Sequence, residues 1–192
     1  MSAEYLASVI SNRRTIKPQQ MNGRKIDDAD VQKLLELADW APTHGHTEPW
    51  RFFVFSGDAV KQFCADHANM YRMFTPEEKY LLASEEKLFQ QGDLASHMIV
   101  AAMKRGANPK IPVQEEMASV AASVQNFLLG AQAAGIAAYW GSGGMTYHPA
   151  MKEYLQLGED DHILGIICLG YSDFQKAGTR IVPLSEKVRW YH

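Results

Sequence analysis

The segment HILGIICLG, residues 162–170, is a short apolar run that contains three β-branched isoleucines and no acidic or basic side chain after its first histidine. Alternate residues of a strand point to opposite faces of a sheet, and neither set is polar here, which is typical of a strand covered on both faces. Cys168 in this run is expected to be a small buried apolar residue. Three further runs of the same character predict strands: RFFVFSG (51–57), HMIVAAM (97–103) and GIAAYWG (135–141).

Segments with helical periodicity separate these strands, so the sequence predicts a mixed α and β domain with a central sheet. Asp28 is suited to starting one helix, and Pro42 ends it. The predicted helices span residues 3–13, 28–40, 58–74, 76–91, 113–134 and 148–156.

Length and composition indicate a single domain covering residues 1–192, with 46% hydrophobic and 21% charged residues. The formal net charge of −3 and the lack of a basic face argue against nucleic acid and anionic membranes as partners. Cys64 and Cys168 form no CxxC pair, which suits a reducing cytoplasm. The opening MSAEYLASVI lacks a basic region and a long apolar run, so we expect neither a signal peptide nor a membrane span.

Several catalytic and binding motifs are excluded by single positions. GSGGMT (141–146) follows a predicted strand, but Thr146 stands where a dinucleotide fingerprint needs its third glycine. Trp140 occupies the position where a hydrolase elbow around Ser142 needs glycine. No third potential ligand lies at a sequence spacing typical of metal sites that include His44 and His46. A polar pair of loop histidines is therefore favoured over a metal site.

Two neighbouring arginines, Arg13 and Arg14, continue the apolar stripe of the first predicted helix, where Leu6 and Ile10 lie. One interpretation is that the helix ends at Asn12 and both guanidinium groups extend into solvent. The other is that they converge on a phosphate, because guanidinium donors bind phosphate oxygens in pairs. In the second case Thr15 adds a hydroxyl donor and Lys17 adds another cation.

The last 22 residues, 171–192, have little periodicity but many apolar side chains, including Ile181, Val188 and Trp190. Exposing this many apolar side chains to water costs free energy. The tail is therefore expected either to pack on its own domain or to wrap around a partner subunit.

Three segments, SNRRTIKP (11–18), APTHGHTEPWRFFVFSG (41–57) and GIAAYWGSGG (135–144), resemble in order and spacing those of the nitroreductase family of flavoproteins. The resemblance extends over essentially the whole chain. It implies an α+β three-layer sandwich whose central, mostly antiparallel sheet is flanked by helices. It also implies an intertwined homodimer with noncovalent FMN at the subunit interface, reduced by NADH or NADPH.

The resemblance assigns cofactor-binding positions residue by residue. Arg13, Arg14 and Thr15 match the segment that holds the FMN phosphate and ribityl chain, and Lys17 matches a basic position near the flavin N1/O2 edge. His44 matches a position that reaches the flavin of the other subunit. Trp140, Gly141 and Ser142 match the strand exit that lies along the isoalloxazine. Arg180 lies near the position of a further phosphate-binding cation.

One loop departs from the family pattern, since many members read Asn-x-Gln-Pro-Trp where this chain has His46 and Glu48. A carboxylate lacks the two N–H donors of an amide. If Glu48 faces the flavin, it disfavours the anionic reduced form and lowers the midpoint potential.

The implied activity is transfer of a hydride from the nicotinamide through flavin N5 to an electron-poor small molecule, such as a nitroaromatic or a quinone. One shared flavin face implies a ping-pong mechanism, and the cofactor rather than a protein nucleophile supplies the chemistry. Two alternatives stay open: a flavin-binding or sequestering module with little turnover, and a reductive dehalogenase or flavin-degrading relative on the same fold.

Overall fold

The computed structural model describes residues 2–192 and contains one four-stranded sheet. Its strands are β1 (Trp50–Ser56), β2 (His97–Met103), β3 (Ala137–Gly141) and β4 (His162–Gly170). They lie in the order β1-β2-β4-β3, and each adjacent pair is antiparallel. All four predicted strands are confirmed, and the apolar run 162–170 is an inner strand with a neighbour on each side.

The helices are α1 (Ala3–Asn12), α2 (Asp28–Asp39), α3 (Asp58–Phe74), α4 (Leu82–Leu94), α5 (Val113–Ala133) and α6 (Pro149–Tyr154). The predicted helix at 76–91 was wrong at its start, where a single 3₁₀ turn covers Glu77–Lys79. Leu81 has extended backbone angles, and its N–H donates to the Tyr71 hydroxyl, so the regular helix begins only at Leu82. Gly135, at a φ of +69°, separates α5 from β3, which is why that strand starts two residues later than predicted.

Helices cover both faces of the sheet, which gives the sandwich expected of the fold. On one face α2 and α5 pack over Ile99, Ala101 and Met103 of β2. On the other face α3 packs over the alternate residues of the same strand, Met98, Val100 and Ala102. Every residue of β2 is buried, as expected of a strand that has helices on both sides.

The first helix, α1, contributes no buried residue to this core. Leu6 is 52% exposed and Ile10 is 49% exposed, so the apolar stripe is left about half uncovered by the chain itself. The helix ends at Asn12, and Arg13 has an extended ψ of 128°. The expectation that the arginines continue a core-facing helix was therefore wrong, because the chain turns into an extended segment before it reaches them.

The end of the chain is equally uncovered, since all residues from Asp173 to His192 are exposed. Ile181 is 93% exposed and Trp190 is 77% exposed. The tail thus does not bury its apolar side chains on its own domain. Within residues 2–192, no helix combines the length and the hydropathy that crossing a bilayer requires.

Candidate functional site

The segment from Arg13 to Lys17 lies along the free edge of β3. Thr15 pairs with Ala138 in a parallel bridge, and the Ile16 N–H donates to the Ala138 carbonyl oxygen at 3.0 Å. Because the pairing is parallel, Lys17 lies toward the end of β3 and Arg13 lies toward its beginning. Ile16 is buried, so strand alternation places Arg13, Thr15 and Lys17 together on the opposite side of the segment.

The two arginines make different contacts. The Arg14 guanidinium donates to the carbonyl oxygens of Ser11 (2.7 Å), Arg13 (2.9 Å) and Lys176 (3.1 Å). Within residues 2–192, neither Arg13 nor Lys17 forms an ion pair or donates a side-chain hydrogen bond. The structure therefore leaves Arg13 and Lys17 available to a ligand, while backbone carbonyl groups surround Arg14.

A cavity of about 180 Å³ opens where β3 ends, and Gly141, Gly143 and Gly144 form part of its wall. In the described part of the chain, the backbone N–H groups of Ser142, Gly143 and Gly144 have no hydrogen-bond acceptor. Three adjacent unpaired donors can bind the oxygen or nitrogen acceptors of a flat ligand. The backbone just after β3 therefore offers consecutive hydrogen-bond donors to a ligand.

A buried histidine holds this glycine-rich turn in place. His67 on α3 is 2% exposed, and its Nε2 accepts the Met145 N–H at 2.9 Å. Burial lowers the pKa of His67 to about 4, so the ring is neutral near pH 7, as an Nε2 acceptor requires. Gly144 has a φ of +63°, and a Cβ at this position would lie 2.7 Å from His67 Nε2. The close approach of the turn to His67 thus needs glycine.

The opposite wall of the cavity comes from α3 and α4, and sequence reasoning missed these residues. Tyr71 on α3 and Ser84, Lys87 and Gln91 on α4 line it. The three α4 residues are spaced i, i+3 and i+7, so they form a polar stripe on one face of that helix. This polar stripe is the sequence feature that could have identified these residues. Only the packing of α4 shows that the stripe faces the end of β3.

Trp140, Gly141 and Ser142 were predicted together to lie along the flavin ring, but the structure places Trp140 and Ser142 differently from Gly141. The Trp140 Nε1 donates to the Leu164 carbonyl oxygen at 3.2 Å, and its ring packs against Gly165, where a Cβ would overlap it. The indole therefore lies against β4 and outside the cavity that Gly141 lines. Ser142 is exposed beside the cavity mouth.

Arg180, the second predicted phosphate-binding cation, lies in the exposed tail. Its guanidinium donates only to the neighbouring Thr179 carbonyl oxygen, at 3.1 Å, among the contacts of residues 2–192. A single protomer does not bring Arg180 into contact with the segment that carries Arg13.

His44 lies in a loop built around Thr43, whose hydroxyl oxygen accepts the Glu48 N–H at 3.2 Å. The His44 Nδ1 is hydrogen-bonded to Glu115 in the first turn of α5. Gly45, His46 and Glu48 all have positive φ values, of 60°, 54° and 42°. Such left-handed conformations are costly for residues with a side chain and are frequent in ligand-binding loops.

The structure places His44 far from the arginine segment of the same chain. Glu115 lies at the start of α5, whereas Arg14 lines a groove together with Gln132 at its end. Helix geometry separates these ends by about 26 Å. Within residues 2–192, no group of three or more His, Cys, Asp or Glu side chains converges as a metal site would require.

Comparison with known proteins agrees with this fold over most of the chain. The family model described as the Nitroreductase family matches residues 10–171. YfhC of Bacillus subtilis, which carries the name of an NAD(P)H nitroreductase, is 27% identical over 186 residues, covering 95% of this chain and 92% of that protein.

Two solved structures are also similar. A nitroreductase-like family protein from Bacillus cereus has a TM-score of 0.85 at 28% identity, covering 100% of this chain and 98% of that one. A Desulfovibrio desulfuricans protein, crystallised in complex with FMN, has a TM-score of 0.74 at 22% identity, covering 97% and 96%. With a family match that spans most of its length and the same arrangement of sheet and helices, the chain belongs to the nitroreductase family.

Proposed function

We propose that this protein binds FMN noncovalently and passes electrons from NADH or NADPH to an electron-poor small molecule, such as a nitroaromatic or a quinone. The observation that carries the proposal is the parallel bridge between Thr15 and Ala138. It brings residues 13–17 alongside β3 in the direction that places Lys17 toward the end of that strand, where the N–H groups of Ser142 to Gly144 have no acceptor within residues 2–192. Family membership and the relative named as an NAD(P)H nitroreductase support the reaction class.

The residues present fit the two ends of FMN. Arg13 and Thr15 offer a guanidinium and a hydroxyl to the phosphate, and among the contacts of residues 2–192 the Arg13 side chain forms no ion pair. Lys17 and the N–H groups of Ser142 to Gly144 suit the flavin ring, whose polar edge carries oxygen and nitrogen acceptors. Lys17 lies four residues along the extended chain from Arg13, a distance of about 13 Å that suits a ligand with a charged group at one end.

Bound FMN would supply a two-electron carrier that accepts and returns hydride at N5, with one shared face and therefore ping-pong kinetics. The protein's part is to bind and orient. A positive charge at Lys17 stabilises the negative charge that a reduced flavin develops at its N1/O2 edge. The glycine-rich turn is held by His67, and its glycines carry no side chain that would block a ligand from approaching the backbone donors.

The active protein is proposed to be an intertwined homodimer with one FMN site at each end of the interface. The apolar stripe of α1 and the apolar tail are both uncovered in one protomer. His44 and Arg14 lie near opposite ends of α5, so they cannot bind the same flavin from one chain. The site of a flavin held by residues 13–17 is completed by His44 of the partner subunit. Apolar interfaces are typical of obligate dimers.

The test is to purify the protein, denature it and identify the released flavin by chromatography. Reduction of the holoprotein by NADH and by NADPH is then followed under anaerobic conditions by stopped-flow spectroscopy, and reoxidation by a nitroaromatic and by a quinone is followed separately. FMN in the released fraction, fast reduction and fast reoxidation support the proposal. A colourless protein that takes up no added FMN contradicts it.

The same experiment separates the two alternatives. Bound FMN that is reduced only over hours indicates a sequestering module rather than a reductase. Loss of the flavin chromophore under oxygen, or release of halide from a halogenated aromatic, indicates one of the other chemistries of this fold.

A further inference from the structure

Among residues 2–192, one side chain, that of Arg14, holds the C-terminal tail (residues 174–192) to a part of the protein distant in sequence. Before it, the Asn22 N–H donates to the Tyr171 carbonyl oxygen at 2.8 Å, and the Ser172 hydroxyl donates to the Gln20 carbonyl oxygen at 2.5 Å. Beyond Asp173, the Phe174 N–H donates to the nearby Ser172 hydroxyl oxygen at 3.1 Å, and the bond from Arg14 Nε to the Lys176 carbonyl oxygen is the only hydrogen bond within residues 2–192 that joins this tail to a part of the chain distant in sequence.

The packing around the Arg14 guanidinium is tight on the tail side. Gly178 lies against it so closely that a Cβ at this position would overlap the guanidinium carbon and nitrogens. On the other side Arg14 donates to the Ser11 carbonyl oxygen in the last turn of α1. One side chain therefore joins the end of α1 to the beginning of the tail.

This environment suits a structural role better than anion binding. Nε and NH1 of Arg14 are used by three backbone carbonyl oxygens, and NH2 faces Gly178. Carbonyl oxygens carry partial negative charge, so a phosphate placed among them would be repelled and would compete for donors already in use. Arg13, by contrast, has no such partners among the described residues.

Arg14 also joins the two uncovered apolar surfaces of the chain. The α1 stripe exposes Tyr5, Leu6 and Ile10, and the tail exposes Ile181 and Trp190, among others. We infer that Arg14 is a positioning residue for dimer assembly: it fixes the direction in which the tail leaves the body, so that α1 and the tail are presented together to a second copy of this chain. The inference rests on the homodimer of the proposed function and assigns the phosphate to Arg13 rather than Arg14.

Three variants test it: Arg14→Ala, Gly178→Ala and the adjacent control Arg13→Ala. Gly178→Ala displaces the same guanidinium from the tail side while leaving both arginines in the chain. Dimer dissociation is measured on flavin-free protein by sedimentation, FMN affinity is measured at concentrations where each variant is dimeric, and tail exposure is measured by the rate of trypsin cleavage at Lys176 and Arg180. Circular dichroism establishes that each variant is folded.

We expect Arg14→Ala and Gly178→Ala to weaken dimerisation of the flavin-free protein about tenfold or more and to speed tail cleavage, since each disrupts charge-assisted hydrogen bonds. Their FMN affinity, measured on dimers, should stay within about threefold of the wild type, whereas Arg13→Ala should reduce FMN affinity with unchanged dimerisation. Unchanged dimerisation and cleavage in Arg14→Ala, with a large loss of FMN affinity, would overturn the inference.

A failure of the proposed function gives a different result. If the wild-type protein proves monomeric, the homodimer is wrong and the role of Arg14 in dimer assembly is wrong with it, although faster cleavage in both variants would still show that Arg14 holds the tail. If the wild type is dimeric but binds no FMN, the dimerisation and cleavage results decide the inference about Arg14 on their own.

Discussion

Thr15 pairs with Ala138 in a parallel bridge and thereby sets the order in which the cationic segment meets the end of β3. Parallel pairing leaves Arg13 near the start of that strand and Lys17 near its end. The two cations therefore lie at opposite ends of the proposed cofactor, and their substitution should have separable effects.

Arg13→Ala should weaken FMN binding by tenfold or more, because it removes a guanidinium from a phosphate dianion. The flavin midpoint potential should barely change, since the phosphate is remote from the ring. Isothermal titration of FMN into the flavin-free protein and a spectroelectrochemical titration measure the two quantities.

Lys17→Ala should have the opposite effect. Loss of a positive charge near the N1/O2 edge should lower the midpoint potential, and a change of about 30 mV corresponds to roughly 1.4 kcal/mol for a two-electron couple. FMN affinity should decrease less than in Arg13→Ala. An unchanged potential in Lys17→Ala together with a shifted one in Arg13→Ala would show that the cofactor lies in the reverse direction.

Deletion of residues 174–192 should convert the protein to a monomer that loses FMN. The deletion keeps Tyr171 and Ser172, whose hydrogen bonds join the end of β4 to the segment before α2, so the body should remain folded. Sedimentation equilibrium gives the mass, and flavin absorbance gives the occupancy. A truncated protein that remains a flavin-loaded dimer would rule out the tail as part of the interface.

Gly144→Ala should destabilise the protein by about 1–3 kcal/mol, because the new Cβ would meet His67 and Leu88 at a residue whose φ is +63°. Gly143→Ala is the matched control, since a Cβ there has no neighbour within 4 Å. Chemical denaturation compares the free energies of unfolding. Equal stabilities of the two variants would mean that the turn is not held against His67 as described.

The stability of the protein should depend on pH through His67. Its pKa is about 4 in the folded protein, against an ordinary value of 6.5 in an unfolded chain. Between these values the unfolded chain takes up a proton that the folded protein does not. The free energy of unfolding should therefore decrease as the pH falls from 6.5 to about 4, by about 3 kcal/mol in total.

His67→Gln supplies the control, because glutamine does not titrate and keeps an amide oxygen that can accept the Met145 N–H. Its overall stability should be lower, but the slope of unfolding free energy against pH should be flatter across this window. Parallel slopes in the wild type and the variant would assign the pH dependence to other groups.

Much of the fold was readable from local patterns. After an initial histidine, runs such as 97–103 and 162–170 lack polar residues on either face, and an apolar run this short favours a doubly covered strand over a helix. Helix α3 was predicted at its observed bounds, Asp58–Phe74. Periodicity failed at residues 76–81, where the Leu81 N–H donates to the Tyr71 hydroxyl and the regular helix starts only at Leu82.

The sequence by itself determined the four strands, the helices around them and the family to which the chain belongs, because hydrophobic periodicity and short motifs are local properties. Only the tertiary structure decided that α1 buries nothing in its own chain, that Arg14 contacts the tail while Arg13 stays free, and that α4 lines the cavity at the end of β3. These facts depend on which distant segments meet. The sequence shows the same arginine whether its guanidinium donors face a ligand or a carbonyl oxygen 162 residues away.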